Sequence, residues 1–94
     1  MDKQEALQIL AAVLERFGLE SYEALTSRIG SAPVVEEHRG PSGRWYQIEV
    51  LFLWDDRRDG NVRVMGSIDD GGWRAFAPVT RSFIKPPDGQ SAGE

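Results

Sequence analysis

Residues 45–54 read WYQIEVLFLW, and this stretch decides the fold. Its even positions, Tyr46, Ile48, Val50, Phe52 and Trp54, are all apolar, which is the two-residue period of a strand with a buried face. Its odd positions carry Trp45, Leu51 and Leu53, so the strand is apolar on both sides. One amphipathic helix shields one side of such a sheet, and the other side needs a second cover.

The neighbouring segments extend the pattern. VRVMGSI at 62–68 sets Val62, Val64 and Ile68 on one side and Arg63, Met65 and Ser67 on the other. Val34 to Arg39 is a weaker first strand, joined to the central one through the glycine- and proline-bearing turn GPSG at 40–43. The loop DDRRDGN at 55–61 contains Asp-Gly, a two-residue hairpin signal. Register argues against that turn: an even loop opposes even and odd positions and splits the apolar row, whereas an odd loop of five or seven residues, or a bulge, keeps it together. In the five-residue case Gly66 falls opposite Phe52. Asp70 and Gly71 are expected to form a type I′ turn into a fourth strand, Trp73 to Ala77. That turn opposes Ile68 to Trp73, Gly66 to Ala75 and Val64 to Ala77. A three-residue turn, opposing Asp70 to Arg74 and Ile68 to Phe76, ranks second. VTRSFI at 79–84 then reads as a covering segment with one helical turn, and residues 86–94 as a disordered tail.

Upstream, Leu7, Leu10, Leu14 and Phe17 recur at helical spacing, with Ala6, Ile9 and Val13 widening the stripe. Asp2 and Glu5 form an acidic capping box, and Gly18 is a left-handed stop, which predicts a helix over 3–17. A shorter helix follows, capped by Ser21, with Tyr22, Leu25 and Ile29 on one side and Gly30 and Pro33 at its end. The expected fold is therefore α+β. One or two N-terminal helices pack on a three- to four-stranded antiparallel meander in a single domain, 1–85, followed by a flexible tail, 86–94.

Ninety-four residues suffice for one modest core. There is no cysteine, which excludes disulfides, thiolate zinc sites and a cysteine nucleophile and fits a cytoplasmic protein. The longest wholly apolar run, Ile9 to Leu14, is far too short to span a membrane. Net charge is −4, and an acidic chain lacks the concentrated basic face that nucleic-acid binding needs. No cofactor motif is present: GPSGR is neither a phosphate loop nor a dinucleotide fingerprint.

The catalytic and metal candidates give way to structural readings. Asp69 and Asp70 are strand neighbours whose side chains diverge, so they do not converge on one reacting atom. In the loop from Asp55, the third position of a calcium pattern is Arg57 and the twelfth is Gly66, which breaks the coordination. His38, the sole histidine, shares a face with Glu36 and reads as a surface imidazole beside an acid; Thr80 and Ser82 sit in no nucleophile motif. The expected activity is thus non-enzymatic. The leading expectation is a protein-interaction module, most simply a homodimer, using the second sheet face of Trp45, Leu51, Leu53, Met65 and Phe76. The alternative expectation is a small-molecule binding domain. There Arg44, Arg63, Arg74 and Arg81 hold an anion and Trp45 and Trp73 offer indole faces.

Overall fold

The computed structural model describes residues 1–71, 78–88, 92 and 93. In chain order these form helix α1 (Lys3–Gly18), helix α2 (Tyr22–Thr26), strand β1 (Val34–Arg39), strand β2 (Trp45–Trp54), strand β3 (Val62–Asp69), strand β4 (Val79–Lys85) and a two-residue strand β5 (Ala92–Gly93). The strands make one antiparallel meander in the order β1-β2-β3-β4-β5, with the helices N-terminal to it. The α+β class and the meander follow the sequence pattern.

Alternation does what it should. Tyr46, Ile48, Val50, Phe52, Val62, Val64 and Ile68 are buried together with Ala6, Leu10, Val13, Leu14, Phe17 and Leu25, so α1 and α2 cover one face of the sheet. The β2–β3 connection is odd, as the register argument requires. Trp54 pairs with Val62 across a seven-residue loop, and the Asp55 N–H donates to the Asn61 carbonyl at 2.8 Å. Gly66 consequently lies opposite Val50, not Phe52. The space it leaves is filled from the helix: a Cβ there would stand 2.8 Å from Leu10 Cδ1 and 3.0 Å from Leu14 Cδ2. Gly66 is the point where α1 sits down on the sheet.

Several local expectations need correction. Gly18 is the last helical residue, and its successor Leu19 caps α1 in the right-handed region at φ −81°. The terminus is closed from outside, by the buried Lys85, whose Nζ donates to the carbonyls of Gly18 at 2.7 Å and Glu20 at 2.6 Å. A cation at the carbonyl end of a helix satisfies orphan acceptors and opposes the dipole. Asp2 does cap α1, accepting from the Glu5 N–H at 3.0 Å, but Glu5 does not reach back. Its carboxylate accepts instead from Ser42 N–H (2.9 Å), Ser42 Oγ (2.7 Å) and Tyr46 Oη (2.7 Å). This clamps the helix to the β1–β2 turn, where Gly40 leaves room for the carboxylate. α2 is capped by Ser21 as expected and is only five residues long, the chain continuing through turns to Gly30 at φ +85°.

The main correction concerns residues 79–85. They are not a covering segment with a helical turn but the strand next to β3, pairing Ile68 with Val79, Gly66 with Arg81 and Val64 with Phe83. The partners expected for those three β3 residues, Trp73, Ala75 and Ala77, lie outside the described residues, as does the whole proposed strand Trp73 to Ala77. The type I′ turn is also not formed. It requires positive φ at both central residues, and among the described residues Asp59 (φ 64°) is the only non-glycine with one. Gly71, at φ +81°, does turn the chain, and its N–H donates to Asp69 Oδ1 at 2.8 Å.

Candidate functional site

The face of the sheet opposite the helices is built by the odd residues of β2 and their ladder partners. Leu51 pairs with Met65 and Met65 with Ser82; Leu53 pairs with Arg63 and Arg63 with Ile84. Leu51, Leu53 and Met65 therefore share one side, as the alternation demanded. Leu51 is 40% exposed and Leu53 36%, and Met65 is half-buried. Because β4 joined the ladder, residues 79–84 do not lie over this face.

Trp45, 58% exposed, stands at the far end of the same face, paired with Arg39, whose guanidinium lies 5.9 Å from the indole centroid. Between Trp45 and Leu51 come Gln47 and Glu49, so the apolar part is a patch at one end with an aromatic outpost at the other. Phe76, the fifth residue expected here, lies outside the described residues. Two residues absent from the expectation belong to the face: Ile84, beside Arg63, and Val35, 53% exposed and paired with Glu49. Val35 was legible from the alternation of 34–39; Ile84 was not, since its segment was read as cover.

The arginine candidates do not form one rim. Arg44 lies in the β1–β2 turn with its Nη1 3.7 Å from Asp70 Oδ2. Arg63 is at the opposite end of the ladder: its partner Leu53 is eight residue steps along β2 from Trp45, about 26 Å at strand rise. Its guanidinium donates to Asp55 Oδ1 through Nε at 2.9 Å and to Ser82 Oγ through Nη1 at 2.9 Å. Arg81 is in the row of Gly66, which points to the helix side, and donates to the Thr80 carbonyl at 2.7 Å. Trp73 and Arg74 lie outside the described residues.

The titratable groups are organised as fasteners. Asp69 serves Gly71, while Asp70 faces the N-terminal amine at 3.4 Å, so the adjacent acids do diverge. Glu36 accepts from Arg16 on α1 and pairs with His38 Nε2 at 2.7 Å; those two partners, the His38 contact foremost, hold its carboxyl below the usual range. Glu5 is likewise depressed, first by the Ser42 N–H and then by the Tyr46 and Ser42 hydroxyls. Burial, then the neighbouring Glu5, pushes the Tyr46 phenol up to about 12. Glu20 raises Arg28 by hydrogen bonding, and the Arg28 guanidinium covers the rings of Phe17 at 5.1 Å and Phe52 at 5.4 Å. Among the described residues no three His, Asp or Glu side chains are grouped to hold a metal ion. No helix among them is long and apolar enough to cross a membrane.

No family model, curated protein or solved structure matches this chain. What the molecule offers is therefore its own geometry: a sheet dressed by helices on one side and carrying partly exposed leucines on the other.

Proposed function

We propose that the protein is a non-enzymatic interaction module that associates with a second copy of itself through the outer sheet face, with Trp45, Leu51, Leu53 and Met65 as contact residues. One observation carries the reading: Leu51, Leu53 and Met65 are contiguous on the side that no helix among the described residues covers. Charged residues flank the patch, with the Asp55–Arg63 pair at one end and Glu49 at the other, an arrangement of apolar centre and polar rim that suits a protein contact.

The magnitude points to weak association. Full burial of four such side chains is worth roughly 6 to 12 kcal/mol. Each is already part-buried by its sheet neighbours, so about half of that remains, and two copies restore the full range. Subtracting an association cost of at least about 4 kcal/mol leaves a dimer no tighter than about micromolar.

The test is solution mass by light scattering over a dilution series reaching the highest soluble concentration. The native chain is expected to approach twice its monomer mass, and Leu53→Glu to remain monomeric with an unchanged far-UV circular dichroism spectrum. A native chain that stays monomeric throughout, or a Leu53→Glu variant that dimerises equally well, would overturn the proposal.

A further inference from the structure

Helix α1 overhangs the sheet it covers. Leu10 and Leu14 seat on Gly66, but Leu7, Ala11, Leu14 and Gly18 continue as a second stripe toward the outside of β4. Together with Leu19 and Phe83 they line a groove of about 640 Å³ along that edge, in which Glu15 on the helix side and Arg81 on the strand side are the charged lining residues. Leu19, at one end, is 85% exposed. The apolar surface of the helix is in effect one strand wider than the ladder beneath it.

The ladder itself stops short there. Among the described residues β5 pairs with Phe83 and Ile84 and goes no further, so no described strand lies beside Val79–Arg81. The partner of Phe83 in β5 is Gly93. The two edges of the sheet also differ in sequence. β1 runs Glu36, Glu37, His38, Arg39, the run of charge by which edges resist pairing. β4 has one charge, Arg81, between Val79 and Ile84.

We propose that the Val79–Arg81 edge and the α1–β4 groove beside it bind an extended segment of a partner protein by strand addition. Its main chain continues the ladder, its alternate apolar side chains enter the groove, and an acidic side chain meets Arg81. The charge at Arg81 disfavours a second copy on this edge. Two β4 strands paired about a two-fold axis would put both Arg81 side chains on the same face of adjacent strands, where like charges oppose each other. A carboxylate-bearing partner replaces that repulsion with a charge-assisted hydrogen bond.

The probes are two capped eight-residue peptides of alternating valine and threonine. One has a central valine replaced by glutamate, the other by lysine. Added to the isotope-labelled chain, the glutamate peptide is expected to shift the amide resonances of Val79–Arg81 and of Leu7, Ala11 and Leu19 in two-dimensional NMR. The lysine peptide should bind about tenfold more weakly, and Arg81→Glu should invert that preference. Ala11→Trp, which fills the groove from an exposed helix position, should remove binding of both while leaving the circular dichroism unchanged. Absence of any shift with either peptide overturns the proposal. So does a response confined to Leu51, Leu53 and Met65, or a shift of Val79–Arg81 on concentrating the protein without peptide, which would assign the edge to a second copy.

Discussion

Gly66→Ala tests the seat of the helix directly. The new methyl would sit 2.8 Å from Leu10 Cδ1, 3.0 Å from Leu14 Cδ2 and 3.4 Å from Leu14 Cγ. Leu10 is wholly buried and has no solvent to swing into, while Leu14, nearly buried, borders only the groove beside β4, so the helix must lift or the leucines leave their rotamers. Overpacking of this kind costs about 1 to 3 kcal/mol. Gly66 does not have a positive φ, so alanine also gains about 0.4 to 1 kcal/mol by restricting the unfolded chain. The net expectation is a loss of about 1 to 2 kcal/mol, which lowers Tm by roughly 5 to 15 °C in a domain of this size. Chemical denaturation followed by circular dichroism measures it. Adding Leu10→Val shortens the offending side chain, so the double variant should lose about 0.5 kcal/mol or more less than the two single losses added together. A Gly66→Ala protein as stable as the native chain, or strict additivity in the double variant, would show that α1 does not rest on Gly66 and that the packing described for the sheet's inner face is wrong.

Three further outcomes are expected. Lys85→Met removes two hydrogen bonds to helix-end carbonyls and a cation from the carbonyl end of α1, and should cost about 1 to 3 kcal/mol in the same denaturation assay. For Glu5, hydrogen bonding holds the folded carboxyl below its ordinary 4.5, so the folded state binds the proton less well than the unfolded one. The stability it contributes is present above pH 4.5 and is lost as pH falls through the folded value. The stability difference between the native chain and Glu5→Gln should therefore be widest at neutral pH and narrow on acidification below 4.5. In ultraviolet absorbance titration one of the two tyrosines should ionise only near pH 12, and Tyr46→Phe should abolish that late step.

How far the molecule was legible depends on where its signals are written. Strands β2 and β3 spell out their burial because each turns one face to the core beneath the helices, so every second residue must be apolar. The odd loop between them followed from the same rows, since no even loop keeps Phe52 with Val64. Residues 79–85 were misread because their inward row is Val79, Arg81, Phe83, Lys85, in which polar residues alternate with apolar ones. Each charge has a positional reason invisible to periodicity. Lys85 turns inward to the carbonyls of Gly18 and Glu20, some sixty-five residues away in the chain, and Arg81 stands at the rim where the core runs out. A charge on an inward row broke the pattern that would have announced a strand.

The same reasoning explains what was seen and missed of the surfaces. Leu51, Leu53 and Met65 could be grouped from the sequence because ladder register alone fixes which residues share a side, and two neighbouring strands suffice to fix it. The groove beside β4 needed three things at once: the position of α1 over the sheet, the place of β4 in the ladder, and the extent of β5 among the described residues. None of these is a local property. Leu7 and Leu14 belong to the broad helical stripe that the sequence marks, whereas Ala11 lies outside that stripe and Gly18 reads there as a stop. A stripe that broad on a sheet of known width implies a surplus, and here the surplus falls on the sheet edge with fewer charges. Sheet edges with so little charge are where chains add strands. The outer face and the β4 edge thus make separable demands, one on a flat apolar patch and one on an extended main chain. Leu53→Glu and Arg81→Glu should accordingly act independently, the first on mass and the second on peptide preference. Loss of peptide binding in Leu53→Glu would tie the two surfaces together and contradict the layout of the sheet described above.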